Sequence, residues 1–556
     1  SSGLIKSMAD ERGQRVLSFY ADTLNLKLDS NYMPVRDERG LFVYGTFDDI
    51  AAQLEDFRKE GYTRIYPLGA LELGWAGEAG PDPSVFSVLD GRTVRRDLGG
   101  LEALLRLREK ADALGMKILL CMLSHFSRAN SEYDYHFPVY ILNDKGVLTR
   151  RAGWDGEWSE WLDSFMVNMR DFDNVEKLAE IGIELTKLGF GLRVDVGHGF
   201  DTVFPVDPRQ HRSARLFGEV TVGGYEPIDL RKTEEPNISL LYICYKIQKT
   251  VPNALLVYSE QWHGNEVRML KAGTIPYNSL IKNMETIRSG QTPDAPLGLN
   301  DNIKYLARIY NTCGGQTLSL FNSHDEESPA SNYQNMIWPV AAYLTLSAYG
   351  PLMYHISRLP GPEAGTMTER FDIAYTECWK HWVNNRFRHP WHEEARTRNQ
   401  ILENYPILRG FGKYLRGLYQ FVNDNPAFVR GTIEPVYTGN GRIAAFLRTT
   451  KRQIFLGVFN FPNPYHEGQQ AVARYYNFLL NESIFNPEHI YEAIERYNNA
   501  EGRTRRGRRE FWSGLELMRL GFGGILEPVS SHVFEFLDKT DEKCASKQLL
   551  LDSFSR

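Results

Sequence analysis

The sequence predicts an α/β protein: a (β/α)8 TIM barrel with an insertion after its third strand and a C-terminal antiparallel β-sandwich domain. Short apolar runs rich in β-branched residues alternate with helical patterns through most of the chain. This alternation is typical of a parallel sheet covered by helices. Eight such runs occur in order, and eight strand–helix units close a barrel. After the last unit, short strands separated by turn residues replace the alternation.

The predicted elements begin with an N-terminal segment, residues 1–40, that holds one helix at 8–28. The eight predicted barrel strands are 41–44, 63–68, 117–123, 191–196, 254–259, 273–280, 317–322 and 351–355. The helices predicted between them are 48–60, 98–114, 175–188, 238–249, 302–311 and 336–348. Gly61 and Gly115 directly follow two of these helices, as is typical of C-terminal caps.

Two further segments shape the predicted domain organisation. Residues 126–173 are polar and Trp-rich, and they predict an inserted subdomain B between a first barrel part, 41–125, and the barrel remainder, 174–426. Residues 427–556 predict the C-terminal β-sandwich and a tail. Strands are expected there at 442–447, 453–459, 517–519 and 532–536. An arginine-rich stretch at 503–509 is interpreted as a solvated loop.

Composition excludes several classes of partner. The net charge of −6 argues against a nucleic-acid binder that uses a broad basic surface. No apolar run approaches the roughly 18 residues of a membrane span. The five cysteines are far apart and form no CxxC pair, so neither a zinc cage nor a disulfide framework is expected. With no secretory signal at the start, a cytoplasmic location is predicted, while the oligomeric state is left open.

Polar side chains collect where the predicted barrel strands end, which is where barrel enzymes place reacting groups. Three carboxylates and two histidines occupy these positions, and an ionised group there must be paired or solvated. The residues are His125 after strand three, Asp195 on strand four, Glu260 after strand five, and His324 and Asp325 after strand seven. They predict one site at this end of the barrel.

Arg193 and Asp195 lie two residues apart on the fourth predicted strand and therefore point to the same side. An adjacent cation favours the ionised carboxylate that a nucleophile requires. An internal ion pair without chemistry explains the same pattern, and this strand alone leaves both interpretations open.

Four segments in chain order resemble the conserved regions of the α-amylase superfamily of glycoside hydrolases. Gly191, Arg193 and Asp195 match its Gly-x-Arg-x-Asp motif, and the apolar run ending at Glu260 is similar to its fifth-strand motif. The other two segments are 323–325, similar to Asn-His-Asp, and 84–90, similar to a Ser-Pro-Tyr segment followed by Asp.

The resemblance implies an enzyme that cleaves α-glucans or maltooligosaccharides with retention of configuration. Asp195 would be the nucleophile, Glu260 the general acid and base, and Asp325 the group that binds hydroxyls of the reacting ring. A pocket closed by Tyr258 and Trp262 would help to keep Glu260 protonated. The substrate-binding residues it implies are Arg193, His125, His324, Phe86, Asp90, His198 and Trp262.

The chain also departs from the family pattern. Leu120 and Ser124 stand where the family's third strand carries Asp and Asn. That Asn is a common calcium ligand, so the usual calcium site is in doubt and no cofactor or metal is expected. His198 replaces a Lys that contributes to acceptor binding in many members. Hydrolysis, transfer to a sugar and phosphorolysis therefore stay open, and the alternative is a catalytically inactive carbohydrate-binding or scaffolding protein on the same barrel.

Overall fold

The computed structural model describes most of the chain as two compact units. The described residues are 9–27, 35–39, 43–74, 85–127, 135, 139, 141–142, 145, 147–149, 152–154, 158–161, 164–169, 171–200, 235–251, 256–262, 264–278, 299–323, 333, 336–355, 411–461, 473–500, 503–504 and 507–542. The barrel unit comprises Ser1–Ser279, Gly315–Ser328 and Met353–Asn404. The sandwich unit comprises Leu280–Gly314, Pro329–Leu352 and Tyr405–Arg556.

Eight strands form the predicted barrel. They are β1 (Arg15–Tyr20), β2 (Arg64–Leu68), β3 (Lys117–Met122), β4 (Gly191–Val194), β5 (Val257–Ser259), β6 (Ile275–Pro276), β7 (Ser319–Leu320) and β8 (Leu352–His355). Their order in the sheet is β6-β5-β4-β3-β2-β1-β8-β7. A parallel bridge between Tyr277 and Leu318 joins β6 to β7 and closes the ring. The fold class predicted from the sequence is therefore confirmed.

The first barrel strand is not the predicted one. Residues 15–20 were expected within a helix, yet they form β1, which pairs in parallel with β2. All six residues are buried, so both faces of β1 are covered and the strand shows no polar–apolar alternation. Such a run is hard to distinguish from a buried helix by its period. The strand predicted at 41–44 is wrong as well, because Val43 and Tyr44 lie in irregular backbone.

Helices follow most of the strands. They are α1 (Phe47–Lys59), α2 (Gly100–Ala113), α3 (Phe172–Lys187), α4 (Ile238–Thr250), α5 (Glu266–Lys271), α6 (Leu299–Cys313) and α7 (Ile337–Ser347). Of these, only α5 was not predicted. Thr46 begins α1 with a capping box: its side chain accepts from the Asp49 amide, and Asp49 accepts from the Thr46 amide. No helix among the described residues is long and apolar enough to cross a membrane.

The described part of the segment after β3 contains three short antiparallel strand pairs. His125–Ser127 pairs with Ser164–Met166, and Ala152–Trp154 pairs with Trp158–Glu160. The third pair is Ile141–Leu142 with Leu148–Thr149. The first of these pairs places His125 directly beyond the end of β3.

Where the structure describes the sandwich, two antiparallel sheets follow the helices α8 (Phe411–Asp424) and α9 (Ala427–Arg430). The strands are β9 (Thr432–Pro435), β10 (Ile443–Thr449), β11 (Ile454–Asn460), β12 (Arg474–Phe478), β13 (Ile490–Ala500), β14 (Arg503–Thr504), β15 (Arg509–Ser513), β16 (Phe522–Leu526) and β17 (Ser530–Asp538). Strands β12 and β16 form the smaller sheet. Tyr476 and Phe522 from it share a core with Leu456 and Phe534 of the larger sheet.

The strand predicted at 517–519 is wrong, since these residues belong to helix α10 (Gly514–Arg519). Ser513 starts the helix with a capping box, in which its side chain accepts from the Glu516 amide and Glu516 accepts from the Ser513 amide. The helix is about a turn and a half long, with Gly514 and Leu517 buried, and so short an apolar run has no clear helical period.

Arg448 anchors β10 to α7 inside the sandwich unit. Its guanidinium is fully buried and donates to the carbonyl oxygens of Leu346 and Ala348 at 2.8 Å and of Thr432 at 3.1 Å. Burial lowers the pKa of Arg448 to about 10, so it stays charged at neutral pH.

Replacing Arg448 by Met should therefore lower the free energy of unfolding by about 3 kcal/mol, because several buried carbonyls lose their donor. Urea unfolding followed by circular dichroism measures the change. Arg452→Met is the control, since Arg452 is exposed and should change stability by less than about 0.5 kcal/mol. Equal effects of the two substitutions would contradict the anchoring role.

Candidate active site

Asp195 and Glu260 lie side by side at the carboxyl ends of two neighbouring barrel strands. Asp195 follows β4, and its amide donates to the Met122 carbonyl of β3 at 2.8 Å. Glu260 follows β5, and its amide donates to the Val194 carbonyl of β4 at 2.9 Å. The two residues are only 4% and 5% exposed, so both carboxylates need partners within the protein.

Arg193 supplies that partner to both carboxylates. Its Nη1 binds Oδ1 of Asp195, and its Nη2 donates to Oε2 of Glu260 at 2.6 Å. The arginine is 1% exposed. Burial alone would lower the pKa of Arg193, but Glu260, Tyr277, Tyr66 and Asp195 together raise it well above its usual value. The guanidinium is thus a permanent cation that favours the ionised form of both acids.

Three aromatic rings surround the Arg193 guanidinium. Its Cζ lies 5.4 Å from the ring centroid of Tyr66, 5.4 Å from that of Tyr277 and 5.8 Å from that of Phe86. The Tyr277 hydroxyl also accepts a hydrogen bond from Nε at 2.9 Å. Burial raises the pKa of both tyrosines, so they remain neutral. The predicted substrate residue Phe86 is therefore at the site, beside the ion pair.

The turn after Asp195 wraps around Glu260. Val196 has a φ of 46°, a left-handed conformation that is strained for a β-branched residue. This conformation points the Val196 amide at Glu260 Oε1, to which it donates at 2.9 Å. Gly197 then donates to the Glu260 carbonyl at 2.9 Å, and a Cβ on Gly197 would lie only 2.6 Å from that oxygen. The glycine is required by this close approach.

His125 faces Asp195 from the insertion. Its Nε2 lies 3.4 Å from Oδ2 of Asp195, and its side chain is buried. The Trp161 ring packs edge-on against the imidazole, with 5.1 Å between centroids. His125 is thus one of the predicted residues that the structure brings to the carboxylates.

Trp262 and Tyr258, predicted to close one pocket around Glu260, are placed differently. The Trp262 ring packs edge-on against Tyr277, with centroids 5.5 Å apart. Tyr258 instead donates from its hydroxyl to Glu11 at 2.6 Å, and Glu11 is paired with Arg64 at the start of β2. The closing role predicted for Tyr258 is wrong, because its side chain points to the amino-terminal end of the barrel.

Asp90 has a local role in the structure. Its oxygens accept from the amides of Arg92 at 3.0 Å and Thr93 at 2.8 Å, and from the Thr93 hydroxyl at 2.6 Å. Burial raises the pKa of Asp90, but these hydrogen bonds outweigh it and lower the pKa below the usual value. Substrate binding by Asp90 stays a prediction.

Three predicted residues are not placed. His324, Asp325 and the His198 side chain lie outside the described residues. The preceding residue Asn322 is held by its side chain: Nδ2 donates to the His355 carbonyl at 2.8 Å, and Oδ1 accepts from the His355 backbone N–H at 2.7 Å.

Sequence reasoning missed Tyr277, Tyr66, Trp161 and the Val196 amide. Tyr277 directly follows β6 and Tyr66 lies on β2, so their positions on predicted strands were a usable signal. That both tyrosines contact Arg193 could not be predicted from the sequence, because these contacts cross the barrel interior. The Val196 amide gives no sequence signal.

The doubtful calcium position, where the family pattern has Asn, carries a serine. Ser124 is fully buried directly beyond β3 and offers one hydroxyl oxygen in place of an amide oxygen. Among the described residues, no group of three or more His, Cys, Asp or Glu side chains is placed to hold a metal ion. The lack of a cofactor stays a prediction.

Known structures share this architecture along almost the whole chain. The α-amylase of Geobacillus thermoleovorans, complexed with acarbose, is 13% identical, with 96% of this chain and 100% of that chain covered and a TM-score of 0.59. The chain shares the fold of this α-amylase. A debranching enzyme of Nostoc punctiforme (14% identical, 95% and 99% covered, TM-score 0.58) shares this α-amylase fold. A variant of the trehalulose synthase MutB also shares it, with 13% identity, 94% of this chain and 99% of that chain covered, and a TM-score of 0.58. No protein-family model and no curated protein sequence matches the chain.

Proposed function

We propose that this chain is an α-amylase-superfamily enzyme that cleaves α-glucosidic bonds with retention and passes the glycosyl unit to a sugar acceptor or to water. One observation carries the proposal: Asp195 and Glu260, buried at adjacent strand ends of an α-amylase fold, are bound to the same guanidinium. Two carboxyl groups that bind one guanidinium must lie near each other. This suits retention, which requires a separation of about 5 Å between the two carboxyl groups. The proposed location is the cytoplasm.

In the proposed first step, an Asp195 oxygen bonds to the anomeric carbon as the bond from that carbon to the leaving oxygen breaks. Glu260 acts here in its protonated form, which the Arg193 cation disfavours, and gives its proton to the leaving oxygen. In the second step, water or a sugar hydroxyl gives a proton to Glu260, its oxygen bonds to the anomeric carbon, and the Asp195 ester bond breaks. Oε2 of Glu260 accepts from Arg193 and Oε1 accepts from the Val196 amide, and these bonds hold the carboxyl group of the proposed acid in place.

Other side chains have supporting roles in the proposal. Asp325 binds ring hydroxyls, with His125 and His324, and Phe86 stacks on the sugar. The contacts of His125 with Asp195 and of Phe86 with Arg193 support these two assignments. The acceptor is proposed to meet the glycosyl ester near His198 and Trp262. Solved structures of this fold include amylases and a trehalulose synthase, so both hydrolysis and rearrangement of glucosides occur on it.

Incubation with maltooligosaccharides tests the proposal. Retention predicts that proton NMR detects the α-anomer of the new reducing end before mutarotation. Chromatography with and without added glucose or phosphate then identifies the acceptor: longer oligomers indicate transfer, and reducing sugar alone indicates hydrolysis. Initial β-anomer would refute retention. Binding of the sugars without any product would favour the inactive carbohydrate-binding alternative.

A further inference from the structure

We infer that Tyr277 is a positioning residue that orients Arg193 and, through it, sets the charge and place of both Asp195 and Glu260. The inference rests on the proposed function and deepens it, since it identifies a residue on the sixth strand that acts on the carboxylates without touching the substrate.

The backbone of Tyr277 is held from both sides at the seam of the barrel. Its amide donates to the Ser259 carbonyl of β5 at 2.9 Å, and its bridge to Leu318 joins β6 to β7. The Gln261 side-chain amide donates to the Tyr277 carbonyl. With the backbone so fixed and the side chain 1% exposed, the hydroxyl has a defined position.

The Tyr277 hydroxyl occupies the third edge of the Arg193 guanidinium. Nη1 binds Asp195, Nη2 binds Glu260, and Nε donates to Tyr277. The guanidinium is planar, so anchoring Nε determines where both Nη atoms point. Its aromatic neighbours Tyr66 and Phe86 contact it through their rings, and the Cys121 thiol also lies within hydrogen-bonding reach of it.

The titratable groups that the structure describes near Arg193 together determine how readily the two carboxylates ionise. These groups are Asp195 and Glu260, the neutral tyrosines Tyr66 and Tyr277, the thiol of Cys121 and, beyond Asp195, His125. Burial raises the pKa of Cys121 to about 12, so it carries no charge near neutrality. Arg193 is therefore the permanent cation among them, and loosening it makes both carboxylates harder to ionise.

Tyr258 is a matched control within the same barrel. It is also a fully buried tyrosine whose hydroxyl joins an arginine–carboxylate pair, but that pair is Arg64 with Glu11. Loss of the Tyr258 hydroxyl should cost a comparable hydrogen bond without changing the charge of Asp195 or Glu260.

The experiment compares the pH dependence of kcat and kcat/KM for the wild type, Tyr277→Phe and Tyr258→Phe on one maltooligosaccharide. For Tyr277→Phe we expect kcat to fall about tenfold with little change in KM. Both limbs of the profile should move to higher pH by about half a unit, because each carboxylate then holds its proton more tightly. Tyr258→Phe should keep the wild-type limbs even if its Tm falls.

The outcomes separate this inference from the proposed function. Absence of wild-type turnover would refute the proposed function, and this inference with it. Wild-type turnover with unshifted limbs in Tyr277→Phe would refute the inference alone. The same shift in Tyr258→Phe would also refute it, since the effect would then be a general result of losing a buried hydroxyl.

Discussion

Asp195→Asn and Glu260→Gln should each reduce turnover of maltooligosaccharides by roughly a thousandfold or more, with little loss of folding. An amide at position 195 cannot form the glycosyl ester, and one at position 260 cannot transfer the proton. Both amides still accept a hydrogen bond from Arg193, so the buried cluster keeps most of its contacts. Initial rates and thermal unfolding of each variant measure the two effects.

Glu11→Gln is the matched control for these two variants. Glu11 is also a buried carboxylate bound to an arginine, with its oxygens 2.7 and 2.8 Å from Arg64, but it lies at the opposite end of the barrel. We expect this variant to lose stability and keep near-wild-type rates below its Tm. Wild-type turnover in Asp195→Asn or Glu260→Gln would end the assignment of these carboxylates.

Arg193→Met should abolish activity and lower the free energy of unfolding by about 3–5 kcal/mol at neutral pH, because it leaves two buried carboxylates without their cation. The direction in which this loss of stability changes with pH follows from the charge of the two carboxylates. Arg193 stabilises the folded protein only while the carboxylates are charged, so the loss should shrink as pH falls below about 4, where the acids take up protons. Urea unfolding at pH 7 and near pH 4 measures both values.

A double-mutant cycle sharpens this second prediction. In the background of Asp195→Asn and Glu260→Gln together, Arg193→Met no longer strands a charge and should cost clearly less than it does alone. Additive costs would mean that Arg193 stabilises the barrel by packing alone. The pH dependence would then be absent as well.

Much of the barrel could be predicted because strand ends and helix periods are local properties. β2 to β8 overlap the predicted strands, and the carboxylates 195 and 260 were expected at strand ends. The miss at β1 has a physical reason: Val16, Leu17 and Phe19 are covered on both faces, and this burial erases the alternation that identifies a strand. Helix α10 was missed because an apolar run outweighed its capping residues.

The site was predicted less completely than the fold. Motif residues such as Arg193 and His125 could be placed, since a strand-end position suffices to group them. The pocket role predicted for Tyr258 is wrong. Strand alternation determines only that its side chain points into the barrel, and the position of the residue along the strand decides which end of the barrel the side chain reaches. Its hydroxyl reaches Glu11, whereas the unpredicted Tyr277 reaches Arg193.

By itself, the sequence determined the barrel and sandwich architecture and which acidic residues lie where barrel strands end. Both depend on the order of apolar and polar residues close together in the chain. Only the tertiary structure decided that one buried arginine binds both Asp195 and Glu260, that a strained Val196 points its amide at Glu260, and that Tyr277 holds the guanidinium's third edge. These contacts join residues up to 84 positions apart, as in the Arg193–Tyr277 bond, and arise only when the ring of strands closes.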